Sequence, residues 1–209
     1  LEGSDGVQVL ASKALLAERS NSLYELFYGT GRRFSNGIQI NWYPVKIPSR
    51  VLRAVVEYCY TGSTNLWMFD ADELLLNPEM LNPEMLNAYE VSDEMFTSLV
   101  QLLIVGDGWG IAPLYIDTWS VLEMKIRYNR GCICAFMEEL LVRGCMGKVR
   151  KNAPDEYCSY TKLWRDCLEL IEEDPPKCLL PKARCNKGVR GCSLRLLEAI
   201  FQGMGKSLS

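Results

Sequence analysis

The chain has 209 residues, 48% of them hydrophobic and 23% charged, with a formal net charge of −3. That is an ordinary globular balance, and the length suffices to bury a sizeable core. No apolar run approaches the roughly 20 residues that cross a bilayer, the start lacks the order of a signal peptide, and there is no histidine to serve as a base near neutrality.

An enzyme is therefore not expected, and an intracellular protein, cytoplasmic or nuclear, is. The opening at Leu1 instead of methionine is that of a fragment or a processed chain. Charge is uneven: residues 1–130 carry 10 basic and 16 acidic groups, residues 131–209 carry 13 and 10. The second segment holds basic runs at Arg143, Lys148, Arg150 and Lys151 and at Lys182, Arg184, Lys187 and Arg190. An excess of +3 over such a length is too weak to imply nucleic acid unless the charges share a face.

In chain order, Ser4-Asp5-Gly6 makes a turn and Val7 to Ala11 is expected as a strand. A short helix follows from Ser12. A second covers SNSLYELFYG, with Ser22 and Glu25 at capping-box spacing and Leu23, Leu26 and Phe27 facing inward. After a glycine-rich loop, the alternation Ile38-Gln39-Ile40-Asn41-Trp42 predicts a strand. Ile47 to Gly62 then reads as the central helix. Ser49 is placed to cap it, Leu52, Val55, Val56 and Cys59 form one stripe, and Gly62 stops it.

Between Gly62 and Val91 the sequence Leu-Asn-Pro-Glu-Met occurs twice in tandem, at residues 76–80 and 81–85, in what reads as a duplicated turn of a surface loop. Asp70, Asp72 and Glu73 lack the glycine and ligand rhythm of a calcium loop. Ser92 is expected to cap a helix with the stripe Phe96, Leu99, Val100 and Leu103, ended by GDGWGIAPL. Helices are expected from Cys134 to Val142 and from Pro154 to Pro175, the latter with Tyr160, Leu163, Trp164, Cys167, Leu168 and Ile171 inward. Ser193 caps a last helix carrying Leu196, Leu197, Ile200 and Phe201, with Gly203 as its stop.

Eight of the nine cysteines lie between Cys132 and Cys192, without a C-x-x-C pair, so core or surface thiols are expected in preference to zinc or disulfides. Gly205-Lys206-Ser207 lacks the glycine that a phosphate loop needs at Ile200. Gly106 to Gly110 likewise has Ile111 in place of the third glycine of a dinucleotide fingerprint. No cofactor and no metal is expected.

Four separated blocks resemble the BTB/POZ family. VLASKALLAERSNSLYELF is similar to its strand and helical hairpin, with Ser12-Lys13 where His-Lys is usual. IPSRVLRAVVEYCYTG resembles its central helix, and Leu102-Leu103 with Gly106-Asp107, then Gly110-Ile111 to Leu114, resemble its next two helices. SDG, GTGRRF and IPSRVL also resemble elongin C, a compact member of the superfamily.

The resemblance implies an α+β fold, a BTB/POZ-like core of helices with a small sheet over residues 1–127, carrying an insertion at about 63–90. An all-helical extension over 128–209, similar to a BACK segment, would follow. It implies a non-enzymatic interaction module that scaffolds a larger complex, with a cullin ubiquitin ligase adaptor or a transcriptional regulator as the alternatives. Family members that bind a cullin carry a hydrophobic-x-Glu motif in the interval matching Tyr28 to Gly37, and this interval has no glutamate. Too few residues precede Val7 for the family's swapped homodimer, so a homodimer is not expected. The partner-binding residues then expected are Arg32, Arg33 and Phe34 in the loop and Trp67 and Phe69 in the insertion, since aromatic anchors dominate interfaces.

Overall fold

The computed structural model describes residues 1–29, 34–35, 38–39, 42–63, 93–128, 130–143, 160–179 and 193–207. In order these form α1 (Lys13–Arg19), α2 (Asn21–Tyr28), β1 (Phe34–Ser35), β2 (Ile38–Gln39), α3 (Ser49–Thr61), α4 (Asp93–Gly108) and α5 (Ala112–Tyr128). A 3-10 turn at Arg130–Cys132 leads to α6 (Ile133–Val142), α7 (Tyr160–Glu173), α8 (Pro175–Leu179) and α9 (Leu194–Ser207). The expected insertion lies outside the described residues, as do Ser92 and the opening of the helix expected from Pro154.

The expected α+β class is corrected, because the described residues are helical and hold no sheet layer. Strand pairing is limited to the two-residue antiparallel ladder of β1 and β2, Phe34 against Gln39 and Ser35 against Ile38. The strand expected over Val7 to Ala11 reduces to one isolated bridge, Glu2 to Gln8, and a second bridge joins Glu2 to Pro44. The physical reason is local: Pro44 has no N–H to extend a ladder, and the turn through Gly6, at φ +76°, comes after very few paired residues.

Two compact units result, one of residues 1–66 and 101–118, the other of 67–100 and 119–209. In the first, α1 packs on α2 and α3. Val51, Leu52, Ala54, Val55, Tyr58 and Cys59 of α3 are buried, as are Leu16, Leu23 and Phe27, whereas Val56 and Leu26 are half-buried. Phe27 meets Tyr43 edge-on, with ring centroids 5.0 Å apart. Gly62 ends α3 in the left-handed conformation, φ 75° and ψ 3°, its N–H donating to the Tyr58 carbonyl.

Two caps differ from the sequence expectation. Helix α2 is capped by Ser20, whose Oγ accepts from the Leu23 N–H and donates to the Trp109 carbonyl, while the Ser22 hydroxyl donates to the Gly108 carbonyl. Ser49 is the first residue of α3 and not its cap. The cap comes from Asp5, whose Oδ2 accepts from the Ser49 N–H at 3.0 Å and its hydroxyl at 2.7 Å. Where α4 passes into α5, Gly106 lies so close to Tyr115 that an added Cβ would sit 3.1 Å from its backbone nitrogen.

In the second unit, α6 buries Ile133 to Met137, Leu140 and Leu141, and Phe136 and Phe96 rings lie 6.1 Å apart. On α7, Tyr160, Leu163, Trp164, Cys167 and Ile171 are buried as expected, with Leu168 half-buried. Lys162 joins Glu123 and Asp166, each at 3.1 Å, and lies 4.6 Å over the Trp119 ring. Pro175 opens α8 after a break at Asp174. Helix α9 buries Leu196 and Ile200, capped by Ser193, but Phe201 is 70% exposed and the helix runs through Gly203 to Ser207. Cys59, Cys134, Cys167 and Cys178 are buried free thiols, whereas Cys132 is disulfide-bonded, which corrects the expectation of thiols at that position.

Candidate protein-interaction surface

Among its described residues, the first unit carries its most exposed apolar side chain on the N-terminal segment. Leu1 to Ser4 runs between two neighbours. On one side Gly3 N–H donates to the Val7 carbonyl and Val9 N–H to the Leu1 carbonyl. On the other, Glu2 N–H donates to Tyr43, Val45 N–H to Glu2, and Ser4 N–H to Ile47. These extended residues alternate, as a pleated backbone must. Val9 and Tyr43 point inward and are buried, leaving Gln8, Leu10 and Trp42 outward. Leu10 is 91% exposed. Leu1, Gln8, Val9, Leu10 and Trp42 line an open cleft of about 410 Å³. Val7, Leu15, Tyr24 and Tyr60 add further exposed apolar area in this unit.

Two titratable groups of this unit are pushed away from neutrality. Tyr58 donates to the Asp117 carboxylate at 3.2 Å, and burial, then that carboxylate, pushes its hydroxyl up to about 12. Burial pushes the Cys59 thiol up to about 11. Both groups are thus held neutral at ordinary pH. Among the described residues no group of three His, Cys, Asp or Glu is placed to hold a metal. Of the expected basic runs only Arg143 is described, and it pairs with Glu139 at 2.7 Å.

Of the interface residues expected from the sequence, Arg32, Arg33, Trp67 and Phe69 lie outside the described residues, and Phe34 is described through its backbone in β1. The surface that the structure does show, around Leu10 and Trp42, was legible only as parts of two strands. Its signal is an uncharged run, Gly6 to Ser12, with one large aliphatic residue out of phase with the buried Val9.

Residues 1–93 match the family model of the BTB/POZ domain. A BTB/POZ domain is a protein–protein interaction module, and the match covers 93 of the 209 residues. The match ends before residue 127, to which the sequence blocks carried the resemblance. Neither the curated proteins nor the solved structures gave a match. Among the described residues no helix is long and apolar enough to cross a membrane.

Proposed function

We propose that the chain is a non-enzymatic assembly module of BTB/POZ type that scaffolds a larger protein complex inside the cell, without cofactor. The BTB/POZ match over residues 1–93 carries this reading. The exposed Leu10 and Trp42 support it, because apolar surface of this kind on a folded unit is the mark of a contact site. Functionally the chain divides at about residue 127, into a BTB/POZ-like part with an insertion at 63–90 and a helical extension similar to a BACK segment. The loop and insertion residues Arg32, Arg33, Phe34, Trp67 and Phe69 belong to the proposed contact surface.

A cullin adaptor or a transcriptional regulator would share the fold but differ in what is bound. The interval from Tyr28 to Gly37 without glutamate argues against the cullin. Affinity purification of the full-length protein from its own cells, followed by mass spectrometry, tests the reading. Recovery of complex subunits at fixed stoichiometry without a cullin supports a scaffold. Stoichiometric cullin replaces it with the adaptor, and salt-sensitive retention of nucleic acid replaces it with the regulator.

A further inference from the structure

We infer that the outer edge of the segment from Val7 to Leu10 is a strand-addition site. It takes an extended segment of a different protein that presents an apolar residue to Leu10 and a basic residue to Glu2. The inference rests on the reading of residues 1–93 as an interaction module and names the chemistry of one partner.

The backbone argues for an extended occupant. Glu2 stands opposite Gln8, and the hydrogen bonds flanking this pair run from Gly3 to Val7 at 2.9 Å and from Val9 to Leu1 at 2.8 Å. A residue at such a non-hydrogen-bonded position turns both its N–H and its C=O toward the opposite edge. Gln8, and Leu10 two residues on, therefore offer their backbone groups away from Leu1 to Gly3. Among the described residues neither N–H makes a hydrogen bond. Natural edges are usually guarded by a lysine, a proline or another inward charge. Gly6 to Ser12 contains no charged residue and no proline.

The side chains specify the partner. Gln8 and Leu10 share the outer face of the segment, and Leu10 is 91% exposed. Glu2, directly across from Gln8, puts a carboxylate on the same face. An incoming strand thus meets an apolar anchor at Leu10, and a long basic side chain opposite Gln8 reaches across Gln8 to the Glu2 carboxylate on the next segment in. Main-chain pairing supplies affinity and the alternate side chains supply selectivity, as in other strand-addition complexes.

The test is selection of a phage-displayed library of random seven-residue peptides on the intact chain, with enriched peptides remade and titrated by fluorescence anisotropy. Enriched sequences should carry an apolar and a basic residue two positions apart. Their binding should fall at least ten-fold with Leu10→Lys, and at least ten-fold against the unaltered chain when a peptide nitrogen that pairs with the edge is methylated. Phe201→Lys, on the second unit, should leave binding unchanged. Absence of enrichment, or enriched peptides indifferent to both Leu10→Lys and backbone methylation, overturns the inference. Capture of complex subunits by the whole chain does not depend on this edge, so the two readings fail separately.

Discussion

Replacing Leu52 by alanine is the sharpest probe of the helix that organises the first unit. Leu52 has no exposed surface, and Val51 and Val55 beside it have none either. The substitution removes three carbons. At about 0.8 kcal/mol per buried methylene the transfer part is about 2.4 kcal/mol. The surrounding side chains are fixed in α1 and α3 and close the gap only partly, so the total belongs in the range of about 3–5 kcal/mol. With a urea dependence of about 2 kcal/mol per molar, even 3 kcal/mol moves the unfolding midpoint down by about 1.5 M. Urea titration followed by tryptophan fluorescence reads this directly. Arg53→Ala, one residue away on the exposed side of α3, provides the reference and should stay within about 0.5 kcal/mol. A Leu52→Ala midpoint no lower than that of Arg53→Ala would refute the placement of α3 at the core.

Three further outcomes are expected. Asp5→Ala should lower the urea midpoint at neutral pH by removing the cap on Ser49. The hydrogen bond from the Ser49 hydroxyl holds the Asp5 carboxyl below its usual range, so the stabilisation is fully present above the unfolded-state value of about 4 and fades as pH falls through the lower folded one. The gap between the two proteins should therefore close in acid, and a gap independent of pH would contradict the cap. Gly62→Ala should destabilise by about 1–2 kcal/mol, since its φ of +75° strains any L side chain although no atom lies within 4 Å of the added Cβ; an unchanged thermal midpoint would argue otherwise. Cys59, buried and with its thiol pushed up to about 11, should react with iodoacetamide at pH 8 only through opening of the fold. Peptide mapping should show faster labelling in Leu52→Ala, and equal rates in native and urea-unfolded protein would contradict the burial.

What the sequence made legible was whatever neighbouring residues decide. The α3 stripe repeats at helical spacing and glycine, here Gly62, is the residue type that enters the left-handed region without cost, so both helix and stop could be read. The caps could not. Ser20 precedes α2 and Ser22 lies in its first turn, and the capping role falls to Ser20, whose hydroxyl is held by the Trp109 carbonyl, 89 residues away. The cap of α3 arrives from Asp5, 44 residues upstream. The sheet was overestimated because alternation fixes a side-chain period but not the length of the neighbour, and Ile38 and Gln39 meet a β1 of two residues. On α9, Leu194 and Phe201 stand seven residues apart on one face while Leu196 and Ile200 form another, and periodicity alone did not choose the buried one. The interaction surface was hidden for a related reason. An exposed Leu10 looks in sequence like one more strand residue, and only the pairing of Glu2 with Gln8 shows which way it points.

Whether this chain works as a subunit of a larger assembly is decided most directly by the mass of the particle it forms in its own cells. The full-length protein, purified under mild conditions, would be passed over a sizing column into a multi-angle light-scattering detector, and its components counted by native mass spectrometry. The expected particle exceeds the 23.7 kDa of this chain by whole subunits of other proteins at fixed stoichiometry. A particle containing the protein alone, as a monomer or as copies of itself, would contradict the assembly role.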